Sequence, residues 1–396
     1  MPLPIRRSLL PLLLLAALCT AQTPDPVRLR QIQERMQSFV SDRSISGVVT
    51  LVAHRGKVVS LDAAGLADIE QGKPMRTDTI VQVMSQTKSF TGVAAMMLVE
   101  EGKLDLKRPV QDYLPEFKGQ LVEEKRPDGS ISTRPPEHPI TVWQVMNHSS
   151  GFAFLPSSGP YQKINYTLHA SLADAVGAYA REHLINEPGR KYLYSNMGIA
   201  TLGRIVEVVS GQEYTQFVKS RILDPLGMED TFFFPPQAKK PRIAMIYQHD
   251  GGQLALSRER AQGGDASRYR EGAKYPGPEL GLYSTAPDLF RFYQMLANGG
   301  SSGGRRYLSR QSLTAMTQDF TPDHSGYGLA FSLSNGPASL LNLLSPGTFG
   351  HGGAFGTGGW VDPKSELVLI FLAQMNDGSA DRARNAFWQI AESAVQ

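Results

Sequence analysis

The sequence predicts an α+β fold: an antiparallel sheet built from both termini and flanked by helices, with an inserted, mainly helical lobe. Three observations predict it. Strand-like apolar runs cluster before residue 64 and after residue 326, helical periodicity fills most of the stretch between, and turn residues are spaced so that sequential strands can pair. The chain has 396 residues, of which 41% are hydrophobic and 19% charged, the balance of a folded protein long enough for more than one core.

Arg6 and Arg7 precede an apolar stretch over 9–19, and Ala21 precedes a polar segment, which is the layout of a secretory signal peptide. The stretch is shorter than the roughly 18 residues a membrane-spanning helix needs, so export to the periplasm or beyond is expected, without a stable membrane anchor. Lipid attachment at Cys19 is the lesser alternative, because Leu18 stands where a small residue is wanted. Residues 26–40 then read as an amphipathic helix, and 48–53 with 58–63 as a β-hairpin. A helix continues from Ser85 through Leu98 toward Gly102, and Thr141 with Gln144 forms a capping box for the next. Helical patterns follow over 172–184, 199–209 and 214–223, and a cap at Ser284 or Thr285 precedes a helix ending near Asn298. Residues 327–333, the segment after Ala354, and 366–375 read as strands, and 381–395 as a closing helix. The stretch 117–139 reads as a surface excursion. The implied organisation is a leader over 1–21, a sheet domain over 22–84 and 275–396, and a mainly helical domain over 85–274, with the active site in the cleft between them.

Composition narrows the chemistry. A net charge of +3 gives no reason to expect nucleic acid, and points to a small-molecule or peptide substrate. The single cysteine, Cys19, lies in the leader, so a disulfide framework, a Cys-based zinc site and a thiol nucleophile are excluded from the exported chain. The eight histidines show no close ligand spacing, and no metal or cofactor is expected. His148 reads as packing or hydrogen-bonding inside the helical lobe. Gly299 to Gly303 match G-x-S-x-G, but a helical pattern precedes them where a nucleophile elbow needs a strand.

Ser85 and Lys88 stand three apart at a helix N-terminus, on one face, so that an amine can reach a hydroxyl that needs a base to become a nucleophile. Tyr194 and Asn196 flank Ser195 before another helix, a phenol for proton transfer and a carboxamide for hydrogen bonding. His351, Gly352 and Gly353 open a strand candidate, where glycines let a substrate approach the backbone. Taken singly, each has a plainer explanation: a capped helix with a solvated lysine, a cap serine beside a packed tyrosine, a glycine turn.

In this order, S-x-x-K, Y-x-N and H-x-G, the chain resembles the serine β-lactamase and penicillin-binding-protein superfamily, and in particular its class C-like branch. That branch holds class C β-lactamases, D-alanyl-D-alanine carboxypeptidases, D-aminopeptidases and family VIII esterases. Further segments are similar to the family's, among them VMNHSSGF over 145–152, EPGRKYLYSNMG over 187–198 and GLYSTAPDL over 281–289. The resemblance implies a β-lactamase/transpeptidase-like fold and an acyl-enzyme on Ser85, with Lys88 and Tyr194 sharing the proton traffic. It also implies an oxyanion site from the N–H groups of Ser85 and Ala354, beside Gly353, and substrate orientation by Asn196. Class C β-lactamases carry lysine where this chain has His351, which tilts the expectation from β-lactams toward an ester or a D-amino-acid peptide. A β-lactamase and a non-catalytic peptidoglycan- or protein-binding relative are the alternatives. Residues 152–164 and 236–278 are the candidate specificity walls.

Overall fold

The computed structural model describes residues 23–156, 169–257, 272–334 and 343–395. The expected leader with Cys19 and parts of both candidate walls lie outside them.

Helix α1 (Pro26–Ser41) opens on Asp25, whose side chain accepts from the amides of Val27 and Arg28. Strands β1 (Gly47–His54) and β2 (Lys57–Asp68) form the expected hairpin, and β3 (Lys73–Pro74) extends it. Helices α2 (Thr87–Glu100), α3 (Val142–Met146), α4 (Leu172–Tyr179), α5 (Asn196–Ser210) and α6 (Tyr214–Val218) follow, then α7 (Ala286–Ala297). The chain ends with β4 (Ser332–Ser334), β5 (Thr348–Gly353), β6 (Thr357–Asp362), β7 (Leu367–Ala373) and helix α8 (Ala380–Ser393).

The seven strands make one antiparallel sheet in the order β4-β5-β6-β7-β1-β2-β3, so the first and last strands pair, Val48 opposite Ala373 and His54 opposite Leu367. Both are buried along their whole length, which explains their near-continuous apolar sequences. Alternate residues serve different cores. Val48, Val52, Leu369 and Phe371 pack with Ile32, Met36 and Phe387 of α1 and α8. Val49, Leu51, Ile370 and Leu372 face the larger core that holds Phe292 of α7 and the apolar side chains of α2 and α5. Helix α2 is buried from Thr87 to Leu98 and packs on α5.

Several expected elements differ. Of the 327–333 run only Ser332 and Leu333 are in a strand, β4, because the amide of Leu329 donates to Met316 and that of Ala330 to Met146, away from the sheet. The 172–184 helix stops at Tyr179, after which the Leu184 amide bonds to Leu121. The 214–223 helix becomes a π-turn at Lys219–Leu223. The 117–139 excursion contains a small hairpin, Val122–Lys125 with Ile131–Arg134. Ser301 of the G-x-S-x-G match lies in a two-residue ladder with Arg305–Arg306, not on an elbow.

Candidate active site

Ser85 sits in a 3-10 turn, Met84–Gln86, that runs straight into α2. Met84 holds φ +52°, a left-handed conformation that costs a non-glycine residue roughly 1–2 kcal/mol. The turn persists because its neighbours hold it. The Val83 amide donates to Leu282 (3.0 Å), the Thr357 hydroxyl to the Val83 carbonyl (2.9 Å), and the Thr87 hydroxyl to the Met84 carbonyl (2.7 Å). Two glycines allow this closeness. A Cβ on Gly353 would lie 2.3 Å from the Val83 oxygen, and one on Gly359 would lie 2.1 Å from the Tyr293 ring. The Tyr293 hydroxyl in turn donates to Gln86 Oε1 at 3.1 Å.

Lys88, one turn along α2, is fully buried. Its Nζ lies 3.1 Å from Ser85 Oγ and donates to the Glu279 carbonyl at 2.7 Å. Burial pulls the ammonium down to about 7, against the opposing pull of the Glu279 carboxylate, which itself accepts from the Tyr275 hydroxyl. Ser85 is half-buried and within reach of solvent.

Tyr194 lies beside this pair, with Lys88 Nζ 4.8 Å from its ring centroid. Burial raises the phenol well above its usual value, and the Ser85 hydroxyl offsets only part of that, so Tyr194 is a neutral phenol rather than a phenolate. Ser195 caps α5, accepting from the Gly198 amide at 3.2 Å, and its hydroxyl donates to Ala153. The Asn196 amide donates to Phe154, while its side-chain Oδ1 is buried with no partner among the described residues.

His351, Gly352 and Gly353 end β5 instead of opening a strand, and Ala354 is the first, exposed residue of the turn to β6. The expected strand start is corrected because the ladder between β5 and β6 runs from Phe349 opposite Val361 to Gly353 opposite Thr357, where the hairpin must turn. His351 Nδ1 donates to the Gly352 carbonyl at 2.6 Å, which leaves Nε2 to accept from the Tyr327 hydroxyl at 3.2 Å. Burial and the Lys88 charge push the imidazole down to about 3, so it is neutral. Ser85, Lys88, Tyr194 and His351 are therefore brought together.

His148 is a site residue that the sequence did not reveal. It packs and accepts a hydrogen bond as expected, but against the site itself: its ring lies 4.4 Å from that of Tyr194 and 4.6 Å from that of Tyr327. The VMNHSSGF segment gave its position, and nothing in it said which residue it would meet. Tyr327 carried no signal at all, since a loop brings it to His351.

Fold and site together define a protein of the β-lactamase/transpeptidase-like class. The model of the family described as Beta-lactamase matches residues 30–393, and the chain belongs to that family. It is 33% identical over 360 residues to Protein Rv1367c of Mycobacterium tuberculosis, covering 83% of this chain and 86% of the relative. It is 29% identical to Esterase EstB of Burkholderia gladioli, covering 84% and 86%. Among solved structures, EstCE1, described as a hydrolase with promiscuous acyltransferase activity, has a TM-score of 0.77 at 23% identity, covers 93% of this chain and 99% of its own, and shows likeness of fold.

Proposed function

We propose that the chain is an exported serine hydrolase that forms an acyl-enzyme on Ser85 and acts on esters whose acyl part carries no carboxylate. The observation that carries the reading is the buried Lys88 amine 3.1 Å from Ser85 Oγ. With its ammonium lowered to about 7, a large fraction of Lys88 is a free amine near neutrality, and its lone pair takes the hydroxyl proton as Oγ attacks the carbonyl carbon. The oxyanion is received by the N–H groups of Ser85 and Ala354, a role supported by the close approach of Gly353 to the Val83 carbonyl and the Met84 side chain. On collapse, the leaving alkoxide takes a proton from Tyr194, which Lys88 reprotonates. Water then attacks the acyl carbon, giving its proton to Lys88; as the Oγ–carbon bond breaks, Lys88 returns that proton to Ser85 Oγ and the acid leaves. The uncommitted Asn196 Oδ1 suits a polar group of the substrate.

The choice of neutral acyl esters rests on His351. Both its nitrogens are engaged and it is uncharged, so it offers no cation to the carboxylate of a β-lactam or a D-alanyl peptide. Esterase EstB among the relatives accords with this. Among the described residues no helix is long and apolar enough to cross a membrane.

The test compares p-nitrophenyl butyrate, nitrocefin and a D-Ala-D-Ala peptide, with fluorophosphonate labelling read by mass spectrometry. Butyrate ester turnover and an adduct on Ser85 are expected. Ser85→Ala should lose the adduct and about 10⁴-fold or more of the turnover. Unchanged turnover in that variant would refute the serine mechanism, and faster use of nitrocefin or the peptide than of the ester would refute the substrate class.

A further inference from the structure

We propose that His148 is the positioning residue for Tyr194, fixing the phenol beside Ser85 by holding the chain on both sides of it; the inference rests on the serine-hydrolase reading above. Two separate groups of His148 make the hold. Its backbone carbonyl accepts from the Leu193 amide at 2.7 Å, and its ring Nδ1 accepts from the Ser195 amide at 3.1 Å. Tyr194 lies between these two anchored residues, and its ring packs on the imidazole with centroids 4.4 Å apart. The backbone and the side chain of Tyr194 are thus both located by one residue.

His148 is a poor choice for stability alone. It holds φ +59°, a left-handed conformation unusual outside glycine, asparagine and aspartate. Its ring is fully buried, and Nε2 has no hydrogen-bond partner among the described residues. Unfavourable backbone, buried imidazole and orphaned N–H concentrated at one residue mark a functional constraint. Burial and the nearby Lys88 keep the ring uncharged, which preserves Nδ1 as an acceptor. The requirement is geometric, because a proton-transfer group must be held within about 0.5 Å of its working place.

Two substitutions separate the hold from mere filling. Asparagine tolerates the left-handed backbone and places Oδ1 where Nδ1 was; leucine keeps bulk and removes the acceptor. With p-nitrophenyl butyrate, His148→Leu should lose about 10²-fold in kcat with KM within about three-fold, as for a misplaced catalytic group, while His148→Asn stays within about five-fold of the parent. Near-UV circular dichroism confirms the fold of each, and His148→Phe replaces the leucine variant should that one not fold. Parent-like kcat in a folded leucine or phenylalanine variant overturns the proposal, as does an equal loss in the asparagine variant. In either case Ser85→Ala remains inactive, so the serine reading stands; turnover by Ser85→Ala would remove both.

Discussion

Lys88 shows how one buried residue sets the working range of the site. Its amine is held between Ser85 Oγ and the Glu279 carbonyl, and burial brings it to about 7, opposed by the Glu279 carboxylate. The protonated form cannot accept from Ser85. On the proposed mechanism turnover requires the amine, and kcat/KM for p-nitrophenyl butyrate should climb about ten-fold per pH unit below 7 and level off above it. Because the Glu279 charge raises Lys88, Glu279→Gln should move that midpoint to lower pH. A flat profile between pH 5 and 8, or a midpoint that moves upward, would contradict Lys88 as the base. The neighbouring groups do not compete for this titration: Tyr194 is held neutral above the range and His351 and His148 below it. Ser85 and Lys88 were legible as a pair because helix spacing is a local property. The partners that tune them, Glu279, His148 and Tyr327, come from distant segments, and no local spacing encodes those encounters.

At the scale of elements, the site depends on β5 pressing against the turn that carries Ser85. Gly353 is the point of closest approach, where a Cβ would meet the Val83 oxygen at 2.3 Å and the Thr357 hydroxyl at 2.2 Å. Gly353→Ala must push strand and turn apart, displacing the Ala354 N–H from the proposed oxyanion position. A loss of about 10²–10³-fold in kcat is expected, comparable to removing one oxyanion donor. Gly352→Ala is the control, since its nearest atom is the Thr357 carbonyl at 3.7 Å, an ordinary contact, and its kcat should stay near the parent's. Equal activity in both variants would show that the close approach does not matter. The sequence reading caught the glycines but put them at the wrong end of the strand, because the hairpin's turning point is set by the ladder with β6. Elements with local signals were placed well. Thr141 with Gln144 does form a capping box, and Thr285 does cap α7. The 327–333 run failed because its amides are taken by Met316 and Met146, a choice made by tertiary packing.

Across the whole molecule, the two ends of the chain close one sheet, and α1 and α8 seal the face away from the site. The strand clusters made that closure readable, but not the acidic pair it buries. Glu392 of α8 is buried beside Asp362 at the end of β6. Asp362 accepts from the amides of Ser345, Lys364 and Ser365, which hold its carboxyl below the usual range and keep it charged. Burial, and then the Asp362 charge, push Glu392 up to about 8. Its folded value lies above its unfolded one, so the unfolded chain releases this proton first as pH rises. The contribution to stability is complete below about pH 4.5, declines as pH rises toward 8, and is gone above it. Glu392→Gln keeps the shape of the protonated acid and removes the decline. The variant should match the parent's thermal midpoint near pH 4.5 and exceed it at pH 9 by about 10 °C, because a rise from 4.5 to about 8 is worth on the order of 5 kcal/mol and each kcal/mol moves the midpoint of a large domain by about 2 °C. Scanning calorimetry of both proteins at the two pH values decides it: equal midpoints at pH 9 would mean that the fold does not raise Glu392 above its unfolded value.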